Sequence, residues 1–153
     1  MDATKHRTWR VLLHETLDPL NNIDELDNAG LALVHRLCLD GNHKDLKIAL
    51  QKNCCPNART HDGLTPLQLI ASRCNPTPSH CQCLRVLLQN PRTNINATSV
   101  IEAYKGHTPW NTALHMACDF AKTPYLRPMI AAGADPHLTN WKGLTPQAIA
   151  NSK

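Results

Sequence analysis

Asp62-Gly-Leu-Thr-Pro-Leu-Gln-Leu-Ile-Ala71 returns almost unchanged as Asn140-Trp-Lys-Gly-Leu-Thr-Pro-Gln-Ala-Ile-Ala150, and Asn111-Thr-Ala-Leu-His-Met-Ala117 repeats the centre of both. A chain that copies itself is built from a unit, and a unit too small to bury its own apolar face must stack on its neighbours to make a core. Thirty-three positions separate Gly30 from Gly63, and thirty-three separate Thr112 from Thr145, so the register is tight at both ends.

Each unit carries the signals of two short helices. Thr65-Pro66 and Thr145-Pro146 supply a hydroxyl to cap free backbone N–H groups, followed by a proline whose fixed φ suits the first helical turn. The helix so begun is apolar at helical spacing, through Leu67, Ile70 and Ala71 in one unit and Leu114, Met116 and Ala117 in another. After a turn a second helix follows. Its apolar face is read as Leu46, Ile48, Ala49 and Leu50, then Leu84, Val86, Leu87 and Leu88, then Leu126, Met129, Ile130 and Ala131, with Gly133 where the last of these should stop.

This pattern resembles the ankyrin repeat. The likeness is carried by the period, by Thr65-Pro66-Leu67-Gln68 and Thr112-Ala113-Leu114-His115, and by Gly133-Ala134-Asp135. It extends from about Asp27 to the end of the chain. Two departures fall at the ends: Ala32-Leu33-Val34-His35 lacks the capping threonine, and Gln147 replaces the motif leucine, as atypical terminal units do. The resemblance implies an all-α fold, an ankyrin-type solenoid of stacked helix–turn–helix repeats with hairpin loops, occupying residues 26–153 as about three full repeats and a partial or capping fourth. It also implies that His35 and His115 bond to loop backbone and steady the hairpins.

Composition agrees with one domain of thin helices. Hydrophobic residues make up 42% of the 153 positions but aromatic residues only 4%, so the core is expected to rest on Leu, Ile and Ala rather than on rings. No apolar run approaches the ~18 residues of a membrane span, and the N-terminus lacks the arrangement of a secretory signal. The expected setting is cytoplasmic or nucleocytoplasmic, or a host cell if the chain belongs to a secreted effector. Seven cysteines, an odd number in that setting, are expected to be reduced thiols.

Residues 1–25, with Trp9, Val11, Leu12, Leu13 and Leu17 at roughly helical spacing, read as a capping helix over the first unit. The last residues, Asn151-Ser-Lys, fall within the first helix of a fourth unit, and this reads either as a blunt cap or, preferably, as the front part of a longer protein. Two insertions break the period. Cys74 to Cys83 lies between the helices of one unit, where Ser79 and Gln82 read as a capping box for the following helix. Asn96 to Trp110 lengthens a turn by roughly eight residues. There the resemblance implies a protruding finger, in which Tyr104, His107 and Trp110 gather aromatic character.

Cys74, His80, Cys81 and Cys83 raise the question of a metal. Zinc wants four ligands, commonly as two spaced pairs, and this chain has no clean pair of C-x-x-C knuckles. Cys83 falls on an apolar stripe, while Cys38 and Cys118 share the repeat position of the small residue Ala71, so core packing is the expected role. No strained turn or orienting third group supports a Cys–His nucleophile. The net charge of +4 is mild and dispersed, which argues against nucleic acid as the main ligand and fits an acidic protein partner.

The expected function is therefore a protein–protein interaction module, a scaffold or adaptor without enzymatic activity, cofactor or metal, monomeric and away from membranes. Carrying the family's contact positions across unit by unit implies a strip on the concave face. It comprises Asn28, His61, Asp62, Trp141 and Lys142 at hairpin tips, and Leu31, Leu64 and Leu144 where the first helices begin. Asp40, Ser72, Arg73, Asp119 and Phe120 at the ends of those helices complete it, with Tyr104, His107 and Trp110 on the finger. The alternative is the substrate-recruiting N-terminal part of a larger enzyme or secreted effector. A metal-dependent switch at the cysteine-rich insertion is a further, weaker alternative.

Overall fold

The computed structural model describes residues 24–100 and 110–153. The expected capping helix lies outside them apart from its last two positions. Among the described residues there are seven α-helices and no strand: α1 (Leu33–Leu39), α2 (His43–Gln51), α3 (Pro66–Arg73), α4 (Pro78–Gln89), α5 (Ala113–Asp119), α6 (Thr123–Ala131) and α7 (Pro146–Asn151). The fold is all-α. Helices α1, α3, α5 and α7 pack side by side as one row, α2, α4 and α6 form a second row, and each helix of the second row also packs on its predecessor in the first.

Local chemistry sets where the first-row helices begin. Thr65, Thr112 and Thr145 each hold an extended N-cap conformation and accept the backbone N–H three residues on, at 3.3, 3.4 and 3.2 Å. Pro66 and Pro146 then take the first helical position, where a missing N–H costs nothing. In α1 the N-cap is Ala32, which has no oxygen to offer, as the absence of a threonine there foretells.

The third residue of each full first-row helix does a second job. His35 Nδ1 accepts the Ala32 N–H at 3.1 Å and His35 Nε2 donates to the Ala58 carbonyl at 2.9 Å. His115 repeats this between the Thr112 N–H at 3.2 Å and the Leu144 carbonyl at 3.1 Å. Gln68 replaces the ring with an amide: its oxygen accepts from the Thr65 N–H at 2.9 Å, and its nitrogen donates to the carbonyls of Ala97 at 2.8 Å and Asn111 at 3.0 Å. All three side chains are fully buried, so each bond answers a polar group that has no water. They tie the start of a first-row helix to the loop beyond the second-row helix that follows it.

The turns before the first-row helices share one design. Asp27 N–H to Leu31 O, Thr60 N–H to Leu64 O and Asn140 N–H to Leu144 O each close a turn across four positions, at 3.0, 2.9 and 3.0 Å. A fourth closure, Ser99 N–H to Asn111 O at 3.0 Å, spans twelve positions, which locates the insertion between its ends. A second backbone bond backs each closure, from Gly30 N–H to Asp27 O, Gly63 N–H to Thr60 O and Gly143 N–H to Asn140 O, each at 2.8 Å, and from Trp110 N–H to Ser99 O at 3.0 Å, without forming a strand among the described residues. Asparagines join successive loops as well: Asn57 meets Arg92 O and the Asn94 N–H, and Asn96 meets Gly133 O and the Asp135 N–H.

The core lies between the two rows, built from Val34, Leu37, Leu46, Ala49, Leu67, Ile70, Leu84, Leu87, Leu114, Ala117 and Met129 among others. Three sequence expectations need correction. Ile130 and Ala131 are exposed, because the buried stripe of α6 runs through Tyr125 and Met129, one turn apart. The core is also not free of bulky rings: Tyr125 is fully buried, and its hydroxyl donates to the carbonyls of Asn75 at 3.0 Å and Cys74 at 3.4 Å. And α4 is capped by Thr77, with Pro78 next and the His80 N–H bonded to the Thr77 hydroxyl oxygen at 3.3 Å, two residues ahead of the expected Ser79–Gln82 box. His80 Nε2 donates to Leu39 O at 3.0 Å, so the cysteine-rich insertion is fastened under the end of α1.

A backbone N–H faces Nδ1 and a carbonyl faces Nε2 in both His35 and His115, so each ring is held neutral with its proton on Nε2. Burial, only partly opposed by these bonds, lowers both pKa values from the usual 6.5. The unfolded chain therefore takes up protons first as pH falls. The stabilisation is complete above the unfolded pKa and is lost as pH drops below it toward the folded values. Urea midpoints should fall between neutral pH and about pH 5, and a His35→Gln, His115→Gln variant, which copies the chemistry of Gln68, should remain folded with a flatter profile. His115→Ala, which strands a buried N–H and a carbonyl, should cost about 1–3 kcal/mol in the same measurement.

Candidate interaction surface

The residues singled out in the sequence fall into three groups. Leu31 is only 8% exposed and belongs to the core, so it offers a partner almost nothing. Its turn is closed through both backbone groups, Leu31 O accepting from the Asp27 N–H and the Leu31 N–H donating to the Asp27 carboxylate, and the side chain points inward. Leu64 is half-buried and packed on the core, and Ser72 turns its hydroxyl back to Gln68 O at 2.8 Å. Tyr104 and His107 lie outside the described residues.

A second group consists of charges that are already answered. Asp62 and Arg73, a turn residue and a helix end, pair with each other at 2.9 Å, and Asp119 pairs with Lys153 at 3.0 Å. Lys153 also donates to the Asp119 carbonyl. Such half-exposed pairs contribute about 1 kcal/mol or less to stability, but each cancels its own field. Asn28, Asp40 and His61 are exposed at turns and at the end of α1.

The third group is apolar and open to solvent. Trp110 is 58% exposed, Trp141 53%, Phe120 41% and Leu144 38%. Val100, 57% exposed beside the closing bond of the long turn, joins them and escaped the sequence reading because a lone valine carries no signal. Lys142 Nζ lies 5.4 Å from the centre of the Trp141 ring, a cation–π contact. Three of the four aromatic side chains described thus face water, and only Tyr125 serves the core.

Trp110 stands out for its backbone. Gly30, Gly63 and Gly143 occupy the residue before the end of the three short turns, with φ of 71°, 71° and 70°; Trp110 occupies that place in the long turn with φ 70°. A glycine adopts this left-handed conformation freely, whereas an L-residue gives up about 1–2 kcal/mol there. Trp110 N–H to Ser99 O at 3.0 Å and Asn111 N–H to the Ser99 hydroxyl at 3.2 Å hold it in place.

Five of the seven cysteines lie where burial disfavours the thiolate. Burial pushes the thiols of Cys38, Cys54, Cys74, Cys83 and Cys118 up, Cys74 to about 11 and Cys83 to about 12, so they stay protonated near neutral pH, the opposite of what a nucleophile or zinc ligand requires. Among the described residues no group of three or more His, Cys, Asp or Glu side chains is placed to hold a metal ion. Nor is any helix among them long and apolar enough to cross a membrane.

Replacing Trp110 by glycine should leave thermal stability unchanged or raise it by up to about 1 kcal/mol, since strain relief outweighs the entropy of the freer unfolded chain. Gly30→Ala should destabilise instead, because the backbone is left-handed and the added β-carbon would run into the His61 side chain. Paired thermal melts check both. No protein-family model matches this chain, and no curated protein matches its sequence.

Proposed function

We propose that the chain is an ankyrin-type solenoid that works as a protein-binding module. Its helix pairs correspond to the repeats, and the turns with the ends of the first-row helices form the binding side. The observation that carries this reading is the exposure of Trp110, Trp141, Phe120 and Leu144 at turns and at one helix end, in a chain whose core holds a single aromatic among the described residues. Large apolar side chains left in water are the usual anchors of protein interfaces.

The scaffold suits that work. Side-chain bonds from His35, Gln68 and His115 into the succeeding loops hold the turns in place before any partner arrives, which limits the ordering cost of binding. The small ion pairs at the ends of α3 and α5 act as a polar rim rather than as a source of affinity.

Affinity capture from cell lysate tests the reading, with the wild-type chain beside a Trp110→Ala, Phe120→Ala, Trp141→Ala variant shown by circular dichroism to stay folded. A protein retained by the wild type and lost by the variant is the expected result. Equal capture by both would refute the proposed binding side.

A further inference from the structure

The two exposed tryptophans belong to neighbouring turns that a buried bond locks together. Asn140 Nδ2 donates to the Asn111 side-chain oxygen at 3.0 Å, and both asparagines are buried. Trp110 immediately precedes one of them and Trp141 immediately follows the other. The geometry therefore fixes the backbones that carry the indoles, and Val100 extends the apolar surface across the closing bond of the long turn. A rigid platform with its rings in water gains more from being covered than a flexible one, because little order remains to be imposed.

Charge selects what can cover it. The nearby carboxylate of Asp62 is cancelled by Arg73. The cations on this side stand differently. Lys142 rests over the Trp141 ring, and the Arg59 guanidinium donates to the carbonyls of Gly63 at 2.8 Å and Thr98 at 3.1 Å, next to the base of the long turn. Among the described residues neither shares an ion pair with a carboxylate. Exposed indoles flanked by uncancelled positive charge, on a chain of net charge +4, complement a negatively charged, apolar ligand.

The backbone points the same way. A glycine serves the equivalent position in the three sister turns, so the left-handed tryptophan at Trp110 is strain that the fold itself does not require. Strain of this kind at an exposed aromatic marks a side chain aimed by the structure.

We propose that the face carrying Trp110 and Trp141 is the docking site for an acidic peptide segment of another protein, whose large apolar side chains cover the indoles while its carboxylates meet Lys142 and Arg59. The inference rests on the protein-binding reading above and adds to it the class of ligand and the face that takes it.

The test is selection of a random peptide library displayed on phage against the full chain, followed by titration of the enriched sequences as synthetic peptides. Enriched peptides should combine several Asp or Glu residues with a large apolar residue. Trp110→Gly and Trp141→Ala should each weaken binding by roughly tenfold or more, as loss of an interface anchor does. Lys142→Glu should weaken it comparably, and added salt should lower the wild-type affinity. Neutral or basic consensus sequences, no enrichment at all, or acidic peptides bound equally by the tryptophan variants would each overturn the proposal. Peptides insensitive to the tryptophan variants yet lost on Phe120→Ala or Arg73→Ala would overturn this face while leaving the protein-binding reading standing.

Discussion

The structure depends on one buried polar position, the third residue of α1, α3 and α5. A helix of seven or eight residues is too short to hold together on its own backbone bonds, and its first N–H groups have no partner inside it. At His35, Gln68 and His115 a single side chain accepts one such N–H and donates to a carbonyl in the loop beyond. Helix start and neighbouring loop are thereby specified together. Because all three groups are sealed from water, losing either bond exposes the full desolvation cost of the stranded partner. Apolar packing between the rows supplies the bulk of the stabilisation, while these bonds fix which arrangement it stabilises.

Much of this was legible in the residues. The helix starts at Thr65-Pro66 and Thr145-Pro146 could be read directly because hydroxyl capping and the proline at the first position are local chemistry. Gln68 could be aligned with His35 and His115, since an amide and an imidazole each present one acceptor and one donor. The start of α4 is ambiguous in the sequence because Thr77, Ser79 and the intervening proline offer competing local signals; the bond from His80 to Leu39 O, which no local pattern encodes, accompanies the Thr77 start. Tyr125 is likewise missing from the apolar face read for α6, because its burial depends on the carbonyls of Asn75 and Cys74, some fifty positions away, receiving its hydroxyl.

The candidate surface was less legible than the frame, for a physical reason. Burial alternates along a helix at a period the sequence reveals, but exposure at a turn depends on what the turn closes upon. Leu31, Leu64 and Leu144 hold comparable positions before their helices, yet they run from buried through half-buried to exposed. The ion pairs Asp62–Arg73 and Asp119–Lys153 join residues distant in sequence, so the chain read linearly shows four charges where the folded molecule presents two neutralised pairs. Trp110 could be recognised as unusual only by aligning it with Gly30, Gly63 and Gly143, an alignment hidden by the longer turn before it.

The bond from Ser99 to Asn111 is the same closure that the shorter turns use, made across twelve positions instead of four. The frame on either side is undisturbed by what the closure encloses: Asn111 still accepts from Gln68, and Asn96 still bonds to the next loop. Loop-closure entropy grows only with the logarithm of length, so lengthening this turn threefold costs about 1 kcal/mol. This closure is therefore a natural splice point, where foreign segments of widely different length and composition can be displayed from the molecule at nearly constant energetic cost.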